Sequence, residues 1–157
     1  MSLYIGINRI LGEYKDLQKN PIPNIGISVA LPNENNYYEW RITSFGPIDT
    51  PYNGGLFLLS ALFPPDYPIR APKIKFVTPI YYLSANSKQI DDIECGSICL
   101  SCLNFWKPEI SMKEVLINTN ALYFCSNTNS PYNLEMQDEM IKNPNLYKKK
   151  QRYFTQK

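Results

Sequence analysis

IGISVALPNENNYYEWRITSFGPIDTPYNGGLFLLSALF, residues 25–63, decides the fold. Ile25, Ile27, Val29 and Leu31 alternate with smaller or neutral residues. Tyr38, Trp40 and Ile42 alternate likewise, and so do Phe57, Leu59, Ala61 and Phe63. Successive side chains of a strand point to opposite faces, so each run offers one apolar face to a core. Turn formers separate the runs: Pro32-Asn33, then Gly46-Pro47 and Asn53-Gly54-Gly55. That punctuation predicts consecutive antiparallel strands, to which Ile74 and Phe76 add a short fourth.

On the N-terminal side, Leu3, Ile7, Ile10, Tyr14 and Leu17 recur every three or four residues, the spacing of an amphipathic helix over 3–19. Ser2 is placed to cap it, and Asn20-Pro21 ends it, because proline pushes its predecessor out of helical backbone. Beyond the strands, residues 79–105 show no periodicity and read as one long loop with a polar, mostly acidic stretch, SANSKQIDDIE. Ser111 and Glu114 form a capping box before Val115, Leu116, Thr119 and Leu122. Two more helical runs follow, over 134–142 and from Pro144 onward, the last opened by Asn143-Pro144. The order is helix, four strands, long loop, three helices. It predicts an α+β domain with a four-stranded antiparallel meander, spanning 1–157 as one unit.

The totals narrow function. At 157 residues the chain can bury a full core without a metal or disulfide staple. A net charge of +2 gives no footprint for nucleic acid, and the basic run at Lys148, Lys149, Lys150 and Arg152 reads as a solvated helix face. No stretch reads as a signal peptide or a membrane span. The four cysteines are therefore expected as free thiols in a reducing compartment, the cytoplasm or nucleus. Histidine is absent altogether, which closes every mechanism that needs an imidazole.

Three cysteines crowd into CGSICLSC, 95–102, and Cys125 stands apart. C-x3-C-x2-C is a spacing that holds iron–sulfur clusters in large β/α barrels, but the strand–helix alternation of such a barrel is missing here. A zinc site would have Cys125 as its only further sulfur. Free cysteines are commonly small apolar fillers, and that reading ranks first for Cys95, Cys102 and Cys125, with metal second. Cys99 differs. If residues 96–103 are extended, Ile98, Leu100 and Cys102 face inward and turn the Cys99 thiol outward. An open thiol held between apolar anchors is a candidate nucleophile.

The element order and four motifs together resemble the ubiquitin-conjugating enzyme family. The motifs are GPIDTPYNGGLF (46–57), FPPDYPIRAPKIKF (63–76), GSICL (96–100) and Trp106 with Pro108, and the likeness covers essentially the whole chain. The resemblance implies a carrier: the Cys99 thiol accepts ubiquitin or a ubiquitin-like modifier from an activating enzyme as a thioester. It then passes it to a substrate lysine or to a ligase. No cofactor is implied, since ATP is consumed by the activating enzyme upstream. The resemblance also implies a cis Tyr67-Pro68 peptide. It places partner contacts at Arg9, Ile69, Lys107, Pro108 and Glu109.

This sequence departs from the family where the chemistry lies. The His-Pro-Asn that precedes the cysteine in the family aligns with Tyr82-Leu83-Ser84, which leaves Ser84 or the nearby Asn86 as the available support for an oxyanion. The interval to Cys99 is lengthened by SKQIDDIE, whose Asp91, Asp92 and Glu94 are the carboxylates at hand. Ser101 stands where an aspartate is frequent, and Asn129-Ser130 replaces an acidic pair before Pro131. These losses predict slow transfer to free lysine. They also keep a second expectation in view: a catalytically weak variant that acts as a scaffold binding ubiquitin or a partner.

Overall fold

The computed structural model describes residues 2–78, 80, 98, 100–124 and 134–156. An N-terminal helix, α1 (Ser2–Lys19), leads into four strands: β1 (Ile27–Ala30), β2 (Glu39–Phe45), β3 (Leu56–Leu62) and β4 (Lys73–Phe76). Four helices follow: α2 (Ser101–Asn104), α3 (Met112–Ala121), α4 (Leu134–Lys142) and α5 (Pro144–Thr155). The sheet is the expected antiparallel meander in the order β1-β2-β3-β4.

The alternation in the sequence becomes the two faces of this sheet. Trp40 pairs with Ala61, Ile42 with Leu59, and Leu59 in turn with Phe76, so one row of buried side chains crosses three strands. Against that face lie Ile10 and Leu17 of α1 and Met112, Val115 and Leu116 of α3. Each large side chain so buried contributes roughly 1.5–3 kcal/mol. Ser44 is the polar member of the inner face of β2, and it is satisfied: the Tyr123 hydroxyl donates to its Oγ at 2.9 Å. Desolvation raises the pKa of that buried phenol to about 12.

The β2–β3 connection explains its glycines. Gly46 N donates to Gly55 O at 2.8 Å, and Gly55 N donates to Tyr52 O at 2.9 Å. A Cβ on Gly46 would stand 1.8 Å from the Tyr52 carbonyl oxygen, so only hydrogen fits. From α5, Gln151 Nε2 donates to the Tyr52 hydroxyl at 2.6 Å and Arg152 donates to Asn53 O at 2.6 Å. The last helix thus clamps the GPIDTPYNGG loop.

Three local expectations change. Ser2 is the first helical residue of α1 and not its cap. β1 is shorter than 25–31, although Phe45 N still donates to Gly26 O beyond its end. The long loop is not loop throughout, because residues 101–104 close one helical turn on the Leu100 carbonyl, which accepts from Leu103 N at 3.1 Å and Asn104 N at 3.0 Å. A single turn is too short to leave a periodic signal. By contrast, both N-caps are in place: Ser111 accepts from Glu114 N, the forward half of the expected capping box, and Asn143 accepts from Leu146 N.

Candidate active site and the face beside it

Ile98 and Leu100 are buried at 5% and 3% exposure within the same core. The two anchors expected on either side of the thiol are therefore in place. Cys99 itself lies outside the described residues, as do Ser84, Asn86, Asp91, Asp92, Glu94, Asn129 and Ser130. Ser101 opens α2, but its side chain is likewise outside the description.

Because the chain turns helical at Ser101, residues 101–103 are not extended as expected. Cys102 is half-buried against the core and free, the small apolar filler expected of it. Burial pushes its thiol pKa up, and the Glu114 charge adds to that, so Cys102 is disfavoured as a thiolate nucleophile. Among the described residues no three histidine, cysteine or acidic side chains converge as a metal site; Cys95 and Cys125 lie outside that set.

Beyond α2 the chain returns to the sheet side. Trp106 Nε1 donates to Pro68 O at 2.8 Å, which ties the loop after α2 to the Tyr67-Pro68 turn. That peptide bond is cis, as the motif implied. Aromatic rings continue the connection inward: Trp106 to Tyr67 at 5.9 Å, Tyr67 to Phe63 at 4.8 Å, and Phe63 to Trp40 at 4.8 Å between centroids. The last two pairs are edge-to-face and the first is tilted, and rings at such spacings hold one another's orientation as well as burying area.

This linkage gathers the five residues expected at partner contacts. Ile69 is 68% exposed, and Lys107, Pro108 and Glu109 are exposed beside it in the loop before α3. Arg9 reaches across from α1 to donate to Ile110 O at 3.2 Å. It also pairs with Glu13 at 2.9 Å, and its guanidinium lies 6.0 Å from the Tyr67 ring centroid. Burial works against the Arg9 charge, but the Glu13 hydrogen bond and charge outweigh it and raise its pKa. Arg9 is thus neither a free docking charge nor an idle solvated one.

The sequence reading missed three contributors. Glu13 receives Arg9 Nε and, from far along the chain, the Tyr67 hydroxyl at 2.7 Å. Only the Arg9–Glu13 spacing of four was visible beforehand. Phe105 and Ile5, 78% and 61% exposed, add apolar surface with no periodic signal to mark them.

Comparison with known proteins agrees with this architecture. The family model described as ubiquitin-conjugating enzyme matches residues 9–155. Ubiquitin-conjugating enzyme E2 13 of Saccharomyces cerevisiae is 35% identical over 148 residues, covering 94% of this chain and 90% of the yeast protein. The solved E2 domain of a Toxoplasma gondii ubiquitin conjugating enzyme superposes with a TM-score of 0.81 at 31% identity, covering 96% of each chain. The chain belongs to the ubiquitin-conjugating enzyme family.

Proposed function

We propose that this chain carries ubiquitin or a ubiquitin-like modifier as a thioester on Cys99. The Cys99 thiolate attacks the carbonyl of the modifier's C-terminus on an activating enzyme's cysteine. A new C–S bond forms and the activating enzyme's thiolate leaves. An amine of a substrate lysine, or a ligase's own thiol, later attacks the same carbonyl and expels the Cys99 thiolate. Neither step needs a metal or an imidazole, which suits a chain with no histidine.

The observation that carries this reading is the burial of Ile98 and Leu100, one on each side of the cysteine. In extended backbone the side chain between two inward neighbours turns outward. Ser84, Asn86, Ser101, Asn129 and Ser130 are the candidates to steady the oxyanion, and Asp91, Asp92 and Glu94 are the candidate carboxylates for the incoming lysine. The activating enzyme and ligases would meet the face carrying Arg9, Ile69, Lys107, Pro108 and Glu109. The protein would act in the cytoplasm or nucleus as one domain, on protein substrates and with no cofactor of its own.

The test is incubation with an activating enzyme, ATP and a panel of ubiquitin-like modifiers. An adduct lost on reduction, and absent from Cys99→Ala, is the expected result. Modifier binding without an adduct would favour the scaffold reading, which the replacement of His-Pro-Asn by Tyr82-Leu83-Ser84 keeps open.

A further inference from the structure

A glutamate on an exposed helix surface is ordinarily solvated, but the Glu13 side chain is only 13% exposed. Removing a carboxylate from water is costly unless donors replace the water. Here they come from three separate segments. Arg9 Nε of α1 and Met112 N at the start of α3 both donate to Oε1, at 2.9 and 3.4 Å. The Tyr67 hydroxyl, on the turn between β3 and β4, donates to Oε2 at 2.7 Å. Both oxygens are occupied, and Met112 N is one of the helix-end donors that α3 cannot satisfy internally.

Two further contacts show that these segments are held at a fixed separation. A Cβ on Gly6 would stand 2.7 Å from Tyr67 O, so α1 lies directly on the turn. Arg9 extends the same junction to Ile110 O. One carboxylate therefore sets the spacing among the α1 surface, the turn that presents Ile69, and the loop that presents Lys107, Pro108 and Glu109.

We infer that Glu13 is a positioning residue for the partner face: it holds these three segments in the arrangement that an activating enzyme docks against, and it does so through Tyr67. The assignment rests on the carrier reading above. Glu13 touches neither modifier nor thiol in this account. Its effect is on how well a preassembled surface fits a rigid partner. Loss of Glu13 leaves the Tyr67 hydroxyl and Met112 N without their acceptor and frees the turn to shift against α1.

The experiment is steady-state charging by a ubiquitin-activating enzyme, with ATP and ubiquitin saturating and this chain varied. Wild type, Glu13→Ala, Tyr67→Phe and the double variant are compared well below their unfolding temperatures. The expected result is a KM raised about fivefold or more in each variant with kcat within about twofold, the pattern of lost uniform binding. The double variant should be no worse than Glu13→Ala, because both changes remove the same junction. Because this chain is the varied substrate, an inactive fraction would by itself raise the apparent KM, so each variant is quantified by its end-point charging. A purely structural role then reads as a wild-type KM once concentration is expressed per chargeable chain. That result overturns the assignment alone. A wild-type chain that is charged with no modifier of the panel, each offered with its own activating enzyme, overturns the carrier reading and this inference with it. Should Glu13→Ala not fold, Tyr67→Phe, which removes a single oxygen, carries the same test.

Discussion

Two ends of one chain differ in how they keep to the family pattern. At the α1 end, Glu13 accepts from Arg9 at 2.9 Å and from Tyr67 at 2.7 Å, Arg9 also donates to Ile110 O at 3.2 Å, Trp106 donates to Pro68 O at 2.8 Å, and the Tyr67-Pro68 turn is cis. At the thiol end, Ile98 and Leu100 are buried, while the resemblance puts Tyr82-Leu83-Ser84 where the family has His-Pro-Asn. On the proposed carrier reading, the contrast teaches that the scaffold for receiving a modifier and the side chains for releasing it to an amine are separable. Packing keeps the first. On that reading the second rests on a handful of polar side chains outside the described residues.

That contrast can be broken most directly on the thiol side. Transfer from Cys99 to free lysine should run roughly 100- to 1,000-fold slower than in a family member with the complete asparagine and acid set, the usual cost of a lost oxyanion donor. Ser84→Asn should recover part of it. Single-turnover discharge measures both, and a wild-type rate equal to that of the complete set would erase the distinction between the two ends.

On the scaffold side, Gly46→Ala forces a Cβ to within 1.8 Å of the Tyr52 oxygen and should cost about 3 kcal/mol or more by urea unfolding. An unchanged midpoint would mean the β2–β3 loop yields more easily than its hydrogen bonds indicate.

The buried phenols sharpen the comparison by pH. Burial raises the pKa of Tyr123 from 10.0 to about 12 and, with the Glu13 charge, raises that of Tyr67 further. The unfolded chain therefore loses these protons first. The contribution is complete below pH 10.0 and declines as pH rises toward 12, by up to about 1.4 kcal/mol per pH unit for each tyrosine. Tyr123→Phe should flatten the slope between those values. An equally steep slope in the variant would place the linkage elsewhere.

The smallest effect belongs to a cap. Ser111→Ala removes the acceptor for Glu114 N and should lower stability by about 1 kcal/mol. Because Met112 N also donates to Glu13, combining Ser111→Ala with Glu13→Ala should cost more than the sum of the two. Simple additivity would show that the two caps act independently.

Much of the scaffold was legible because its signals are local. Period-two runs such as Phe57, Leu59 and Ala61 became the inner face of β3, and Asn143-Pro144 became the start of α5. The burial of Ile98 and Leu100 was legible from their apolar side chains alone. What escaped was short or long-range. A single turn at 101–104 has no period to detect, and it leaves 101–103 helical where an extended backbone was expected. Glu13 went unread, since nothing local announces partners 54 and 99 residues away. Resemblance supplied the cis turn and the family, which neither composition nor periodicity could give.

One substitution bears most directly on the account. Cys99→Ser exchanges the attacking sulfur for oxygen, so charging by an activating enzyme should give an oxyester in place of a thioester. Intact-mass spectrometry should then show a modifier adduct that reductant removes from the wild type but leaves on the variant. A variant adduct that reductant still removes, or a wild-type adduct that survives reduction, would place the modifier on another side chain and contradict the assignment of Cys99.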